Sequence, residues 1–265
     1  MGVFYPEKVG MAFYKAIIAY DGTDFAGWQV QPSAETVASA LQNTFLRVFG
    51  EKISILGASR TDAGVHALSQ VTTFESNVDA PIEKMLRAWN AALPEAIVIR
   101  LIEEIPKRIN PCFDAKQKTY YYHIFTKRPL PMWVRYGWFP KQIRNFDLKK
   151  FKEALKIFSG EHDFRSFCKI EKGEERETIR TVDSIEVERC PQMRAIRVVI
   201  RGKGFLRFQI RRMVGYALDV ACRSDVSVSL LRDILENPCP EQNLVKADAK
   251  GLCLRKIVYE PDVEL

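Results

Sequence analysis

The sequence predicts an α+β protein built of two similar halves, and three observations lead there. Strand-like and helix-like stretches follow one another in the order β-α-β-β-α-β as far as Ile105. The same order returns afterwards with longer insertions. Between the two lies Glu104 to Gln117, which carries Pro106 and Pro111 and shows no periodicity, as a link would. The division is expected at 1–105 and 106–265. The order is that of the ferredoxin-like split unit, so two ferredoxin-like halves with mainly antiparallel sheets are expected.

Each element rests on local chemistry. Phe13 to Tyr20 is a strand candidate closed by the turn residues Asp21-Gly22. A helix is predicted from about Thr36, with Val37, Leu41, Phe45 and Val48 at helical spacing and Gly50 placed to end it. Short strands follow near Lys52 to Leu56 and near Ser69 to Phe74. Pro81 suits a first helical position, and Ile82, Met85, Leu86, Trp89 and Leu93 form a second stripe stopped by Pro94. Ile97 to Ile102 closes the first half as a strand.

In the second half, Lys118 to Thr126 is a tyrosine-rich strand, and Asp147 is a plausible cap for a helix carrying Phe151, Leu155 and Phe158. Ser184 to Glu188 and Ile196 to Arg201 alternate as strands. A helix is expected from about Phe205 to Cys222, with Leu206, Ile210, Met213, Val214, Ala217 and Ala221 on its apolar face. Leu252 to Tyr259 is the closing strand. The segment from Lys169 to Arg180, rich in both charges, reads as a mobile loop, either an inert excursion or a nucleic-acid contact.

Composition narrows the function classes. A chain of 265 residues with 47% hydrophobic and 28% charged side chains can bury a core without disulfides or metals. The net charge of +7 suits a polyanionic partner, though on charge alone a mildly basic enzyme fits equally. The cysteines at 112, 168, 190, 222, 239 and 253 form no C-x-x-C pair, and with His66, His123 and His162 give no zinc spacing. Met1 to Lys8 lacks the apolar run of a signal peptide, and no stretch suits a bilayer. A reducing cytoplasm, no metal and no membrane are expected, with the cysteines free and mostly buried.

Four stretches carry chemistry. The first is Arg60-Thr61-Asp62-Ala63-Gly64-Val65-His66-Ala67, between the second and third strands. A loop aspartate is usually a turn-former. Here it is crowded with arginine, threonine, glycine and histidine in a basic protein, and functional residues concentrate on such loops. The second, Tyr20 to Gln29, has two glycines bracketing exposed-looking aromatics, which either cap a core or wall a cleft. The third, Arg201 to Arg212, holds Arg201, Lys203, Arg207, Arg211 and Arg212 without a carboxylate. Arg207 and Arg211 are expected on one helical face, and a helix start with glycines and cations suits phosphate. The fourth is Thr119 to His123, where alternation sends Tyr120 and Tyr122 to one face and Tyr121 to the other. One face is core, and the other presents a ring for base stacking.

At these stretches the chain closely resembles the tRNA pseudouridine synthase A (TruA) family. The matching residues are Tyr20-Asp21-Gly22-Thr23 with Gly27-Trp28-Gln29, the Arg60 to Ala67 run, and Phe113-x-Ala115 with Tyr120 and Tyr122. They continue with Gly160-Glu161-His162-Asp163-Phe164-x-x-Phe167, Phe205-Leu206 with Arg211 and Gly215, and Ala247-x-Ala249-x-Gly251-Leu252. They cover nearly the whole chain in order.

The resemblance implies an enzyme without metal or organic cofactor that isomerises uridine to pseudouridine at positions 38 to 40 of the tRNA anticodon arm. It also implies sheets joined around a central catalytic cleft, and a homodimer in which one tRNA touches both subunits. Asp62 corresponds to the family's nucleophile, acting at the sugar C1′ or the base C6, and Arg211 to the arginine that pairs with it. Arg60 corresponds to the arginine that enters the stem where the uridine flips out, and Tyr120 to the tyrosine that stacks on the uracil. His66, Lys203, Arg207 and Arg212 are further candidates for tRNA contact.

The chain departs from the family pattern at Ala38, Ser59, Cys112, Lys118 and Arg212, which bears on individual tRNA contacts. Two other readings compete. One is a non-catalytic RNA-binding module, against which the retention of all four site residues argues. The other is a synthase of the same fold acting on another RNA.

Overall fold

A computed structural model describes residues 10–171, 175, 177–240, 242 and 244–259. The expectation for Met1 to Lys8 lies outside them, as do residues 172–174 and 176 of the charged 169–180 segment. The chain divides into two compact units between Ala115 and Lys116. Residues 106–115 therefore group with the first unit. Arg108 reaches Glu75 of that unit at 3.2 Å, and Asn110 accepts from the backbone of Cys112 and Phe113. Both units mix helices with antiparallel strands.

The first unit contains β1 (Ala12–Tyr20), α1 (Val37–Phe49), β2 (Leu56–Gly57), β3 (His66–Ser76), α2 (Ile82–Ala92) and β4 (Ile97–Ile105). Antiparallel pairing places them in the order β4-β1-β3-β2. Thr36 caps α1 by accepting from Ser39 N–H, Ser39 returns the bond to the Thr36 backbone, and Gly50 ends the helix in a left-handed conformation. Pro81 is the residue before α2 and not its first turn, because its ψ is extended.

Alternation buries Tyr14, Ala16, Ile18 and Tyr20 of β1. Phe45 of α1 and Trp89 of α2 meet Phe74 of β3 edge-on at 5.7 and 5.4 Å, and Phe74 stacks on Tyr14 at 5.2 Å. Pairs of this kind contribute about 0.5–1.5 kcal/mol beyond area burial.

The predicted strand at Lys52 to Leu56 is largely absent; only Leu56–Gly57 pairs with β3. Gln42 of α1 donates to the Ile53 carbonyl at 2.9 Å, so this backbone is tied to a helix side chain instead of a ladder. Conversely, β3 begins at His66, earlier than Ser69, which shortens the preceding loop.

The second unit contains β5 (Gln117–Phe125), α3 (Leu148–Lys156), β6 (Gly160–Asp163), β7 (Ile179–Val182), β8 (Ser184–Cys190), β9 (Ala195–Gly202), α4 (Gln209–Cys222), α5 (Val228–Glu236) and β10 (Leu252–Val258). The antiparallel order is β10-β5-β9-β8, with β6 and β7 a separate pair. Asp147 caps α3, accepting from Lys149 and Lys150 N–H. Tyr120 and Tyr122 share a buried face of β5, at 5% and 0% exposure, while Tyr121 lies half-buried beneath Arg197 at 4.5 Å.

One correction matters for function. The predicted helix from Phe205 starts instead at Gln209, because Phe208 takes a left-handed φ of 66°. Gln209 then caps the turn, its side-chain oxygen accepting from Leu206 N–H at 2.8 Å. Arg207 precedes the helix and shares no helical face with Arg211.

Candidate active site

In the first unit the site is a pair of loops locked to each other. The loop after β1 (21–28) and the loop before β3 (58–65) approach so closely that side chains are excluded between them. A Cβ on Gly22 would sit 1.9 Å from the Val65 carbonyl oxygen. One on Gly27 would sit 2.7 Å from the Thr61 carbonyl oxygen and 3.2 Å from the Asp62 carbonyl carbon.

Bonds fill this contact. Trp28 N–H donates to the Thr61 carbonyl at 3.1 Å, and the Tyr20 and Thr61 hydroxyls bond at 2.8 Å. Behind them, the Gln70 amide grips both backbone groups of Ser59, accepting from its N–H at 3.2 Å and donating to its carbonyl at 2.5 Å. Val65 N–H closes the turn on the Asp62 carbonyl at 3.1 Å, with Gly64 at φ 77°. Asp62 thus stands half-buried on a turn fixed at both ends, with Arg60 exposed two residues before it.

His66 is 5% exposed. Its Nδ1 lies 3.1 Å from both the Gly22 nitrogen and an Asp21 carboxylate oxygen. A neutral imidazole accepts from Gly22 there, and a protonated one donates to Asp21. Either way this nitrogen ties the two loops together. The aromatics of the 21–28 loop that look exposed in sequence are core: Phe25 is 7% and Trp28 2% exposed. Of the two readings open for that turn, the capped core is the one realised.

In the second unit, Arg211 is 8% exposed on the first turn of α4. Its Nε donates to the Ala247 carbonyl at 2.9 Å, and Ala247 N–H donates back to the Arg211 carbonyl at 3.0 Å. One turn on, a Cβ at Gly215 would lie 2.3 Å from the Val245 carbonyl oxygen, so α4 lies directly on the 245–247 backbone. The Tyr120 ring meets Phe205 edge-on at 5.4 Å. Tyr122 donates its hydroxyl to the Asp248 carbonyl at 2.7 Å. Burial, and after it the Asp248 charge, hold that phenol well above its ordinary pKa, with Arg211 opposing, so it remains a donor.

The other cations divide. Lys203 and Arg207 are exposed, with Arg207 bridging to Glu171 at 3.0 Å. Arg212 turns inward and donates to the carbonyls of Cys168 and Ser166, and burial lowers its pKa.

Sequence reasoning did not find Gln70, Phe208 or Lys246. Gln70 had one available signal, a polar residue where the strand pattern buries its neighbours. Among the described residues no cluster of histidine, cysteine, aspartate or glutamate could hold a metal ion, and no helix is long and apolar enough to cross a membrane. The six cysteines are free, with only Cys168, Cys190 and Cys253 fully buried.

A family model described as tRNA pseudouridine synthase matches residues 16–114 and 154–260. The tRNA pseudouridine synthase A of Pseudothermotoga lettingae is 39% identical, covering 79% of this chain and 84% of its own length. That of Brevibacillus brevis is 36% identical over 92% of this chain and 98% of its own. That of Aquifex aeolicus is 30% identical over 94% and 100%. With both units matched in order and relatives aligned almost end to end, the chain belongs to the tRNA pseudouridine synthase A family and is an isomerase that makes pseudouridine.

Proposed function

We propose that this enzyme isomerises uridine at positions 38 to 40 of the tRNA anticodon arm, with Asp62 as the nucleophile. The observation that carries the reading is the locked loop pair. It holds one carboxylate half-buried on a turn whose backbone is bonded on both sides, as a preorganised nucleophile requires.

The reaction breaks the N-glycosidic bond, turns the uracil over and rejoins it through C5. A carboxylate suits it because it attacks and later leaves. Asp62 attacks the flipped uridine, at C1′ of the ribose or C6 of the base. Arg211 keeps that carboxylate ionised, and the Ala247 carbonyl fixes its Nε. Tyr120 stacks on the uracil, and Arg60, exposed beside the nucleophile, fills the gap left in the stem.

Lys203 and Arg207 take backbone phosphates. His66 and Arg212 serve the tRNA surface through the loops they hold. The two units are ferredoxin-like, since each has the strand order in which the first strand lies between the fourth and the third. The enzyme acts as a cytoplasmic homodimer without metal or organic cofactor.

Tritium release from tRNA labelled at uridine C5 tests the nucleophile. Asp62→Asn should fold, bind tRNA and lose turnover by roughly 10⁶-fold, the order seen when a nucleophile is removed. Wild-type release from Asp62→Asn would sink the assignment. Mapping pseudouridine in tRNA from a strain lacking the protein tests the position. Loss at sites other than 38 to 40, or in another RNA, would redirect the substrate.

A further inference from the structure

After β5 the chain runs from Thr126 to Phe146 without a single carboxylate. It carries five cations there, Lys127, Arg128, Arg135, Lys141 and Arg144, and all are exposed. No ion pair to a described residue neutralises Lys127, Arg128, Lys141 or Arg144. The same stretch exposes Leu130, Met132, Val134, Tyr136 and Phe139, with Met132 at 65% and Phe139 at 42%. Elsewhere among the described residues, large apolar side chains surface singly along the chain. Scattered exposure is ordinary, but a run of this kind marks a binding surface.

The stretch is not slack. Phe125 N–H donates to the Trp138 carbonyl at 2.7 Å, and Trp138 N–H to the His123 carbonyl at 2.9 Å. The returning chain therefore lies parallel to the end of β5, with Trp138 beside Ile124. Gly137 permits this, since a Cβ there would sit 2.4 Å from the Phe125 ring. Trp133 packs on Phe125, Cys190, Met193 and Ala195, and Gln142 donates to Asp219 at 3.3 Å. This register puts Phe139 next to the strand end from which Lys127 and Arg128 leave. A fixed backbone thus presents cations and apolar groups together, as binding loops on rigid scaffolds do.

The two kinds of side chain select the partner. Cations without a carboxylate repel a second copy of the same surface across a two-fold axis and attract a polyanion. A paired RNA stem offers phosphates and ribose edges but hides its base faces, whereas an unpaired stretch exposes them. Only the second gives Met132 and Phe139 something to cover. We infer that residues 126–144 dock an unpaired stretch of the tRNA. Lys127, Arg128, Lys141 and Arg144 take its phosphates, and Phe139 and Met132 its base faces. This rests on tRNA being the substrate, as proposed above.

Two sets of variants test it by tRNA binding across a salt series. Lys127→Gln, Arg128→Gln, Lys141→Gln and Arg144→Gln combined should weaken binding at least about tenfold and lower the salt slope by about 1 for each cation removed. Met132→Ser with Phe139→Ser should weaken binding about five- to tenfold at an unchanged slope. The apolar pair should also lose more affinity for an unpaired RNA oligonucleotide than for a duplex of the same length. All six side chains are exposed, so both sets should melt near the wild type. Should a combined set melt early, Arg128→Gln and Phe139→Ser alone carry the same comparison.

Wild-type affinity and slope in the cation set overturn the inference. So does equal weakening of oligonucleotide and duplex by the apolar pair. Intact tRNA binding by that pair, together with a changed oligomeric state, would make the patch a protein interface and overturn it too. Wild-type protein that neither binds tRNA nor releases tritium from it would instead sink the substrate reading.

Discussion

The loop that carries Asp62 and the segment that carries Arg211 solve the same problem, holding one charged side chain still, by opposite means. The Asp62 loop is built without strain. Its left-handed position is Gly64, and its close approaches fall on Gly22 and Gly27. The Arg211 segment puts a phenylalanine in the left-handed region and buries two side-chain nitrogens, Gln209 Nε2 and Arg212 Nε, without a hydrogen-bond partner. Strain and unsatisfied donors cost about 1–3 kcal/mol each and persist where surroundings over-determine them. One loop is thus optimised for rigidity, and the other gives up stability to place its side chains.

Substitutions can break that contrast. The largest effect is expected at Gly22→Ala, whose new methyl would meet the Val65 carbonyl 1.9 Å away. Backbone cannot yield as a side-chain tip does, so a loss of about 3 kcal/mol is expected, at the top of the overpacking range, together with most of the tritium release. Denaturant titration and the release assay check it; a variant as stable and active as wild type would mean the loops are not locked.

Arg211→Lys comes next. It keeps a charge but loses the Nε bond to Ala247, and turnover should drop about 10- to 100-fold with little change in tRNA affinity.

The contrast is sharpest between two residues of the same backbone conformation. Gly64→Ala should cost about 1 kcal/mol, since alanine resists φ 77°. Phe208→Gly should relieve a strain of similar size, partly offset by the lost ring contacts, and leave stability near wild type. Equal losses at both positions would refute the difference in design.

The smallest effect lies near the far end of α4. Burial raises the Asp219 pKa, with Asp225 adding to it and Gln142 and Arg223 opposing. A raised carboxylate pKa means that the native state holds the proton more tightly. Its stability contribution is present at low pH and is lost as pH rises through the folded-state value. Asp219→Asn should raise the melting temperature by about 1–2 °C at pH 7 and leave it unchanged below the ordinary carboxylate pKa. No gain at pH 7 would show that the charge is well compensated there.

The same contrast explains what could be read in advance. The Asp62 loop was legible because it uses residues in their preferred conformations: glycine at the turn and at close contacts, and Thr36 and Gly50 at the ends of α1. The start of α4 was not, because no propensity places an aromatic residue in the left-handed region, and an apolar stripe running through Leu206 pointed to a longer helix. The short helix α5 was missed although Ser227 accepts from Leu230 N–H as an ordinary cap. The β6–β7 pair was hidden by the charged segment between its strands. The four residues proposed for chemistry were found through motif order. Their supports, Gln70 and Ala247, became visible only as contacts between segments far apart in the chain.

Trp28 gives the locked loops an optical consequence. Its indole is 2% exposed and stacks on Tyr20 at 6.0 Å, while its backbone bonds both to Thr61 beside the nucleophile and to Ala38 at the head of α1. Any opening of the loop pair must wet or reorient this indole, so its emission should shift to the red and become accessible to a soluble quencher. In a protein whose other tryptophans, Trp89, Trp133 and Trp138, are replaced by phenylalanine, Trp28 becomes a built-in spectroscopic reporter. Stopped-flow mixing with tRNA would then time the behaviour of the nucleophile's loop without attaching any label.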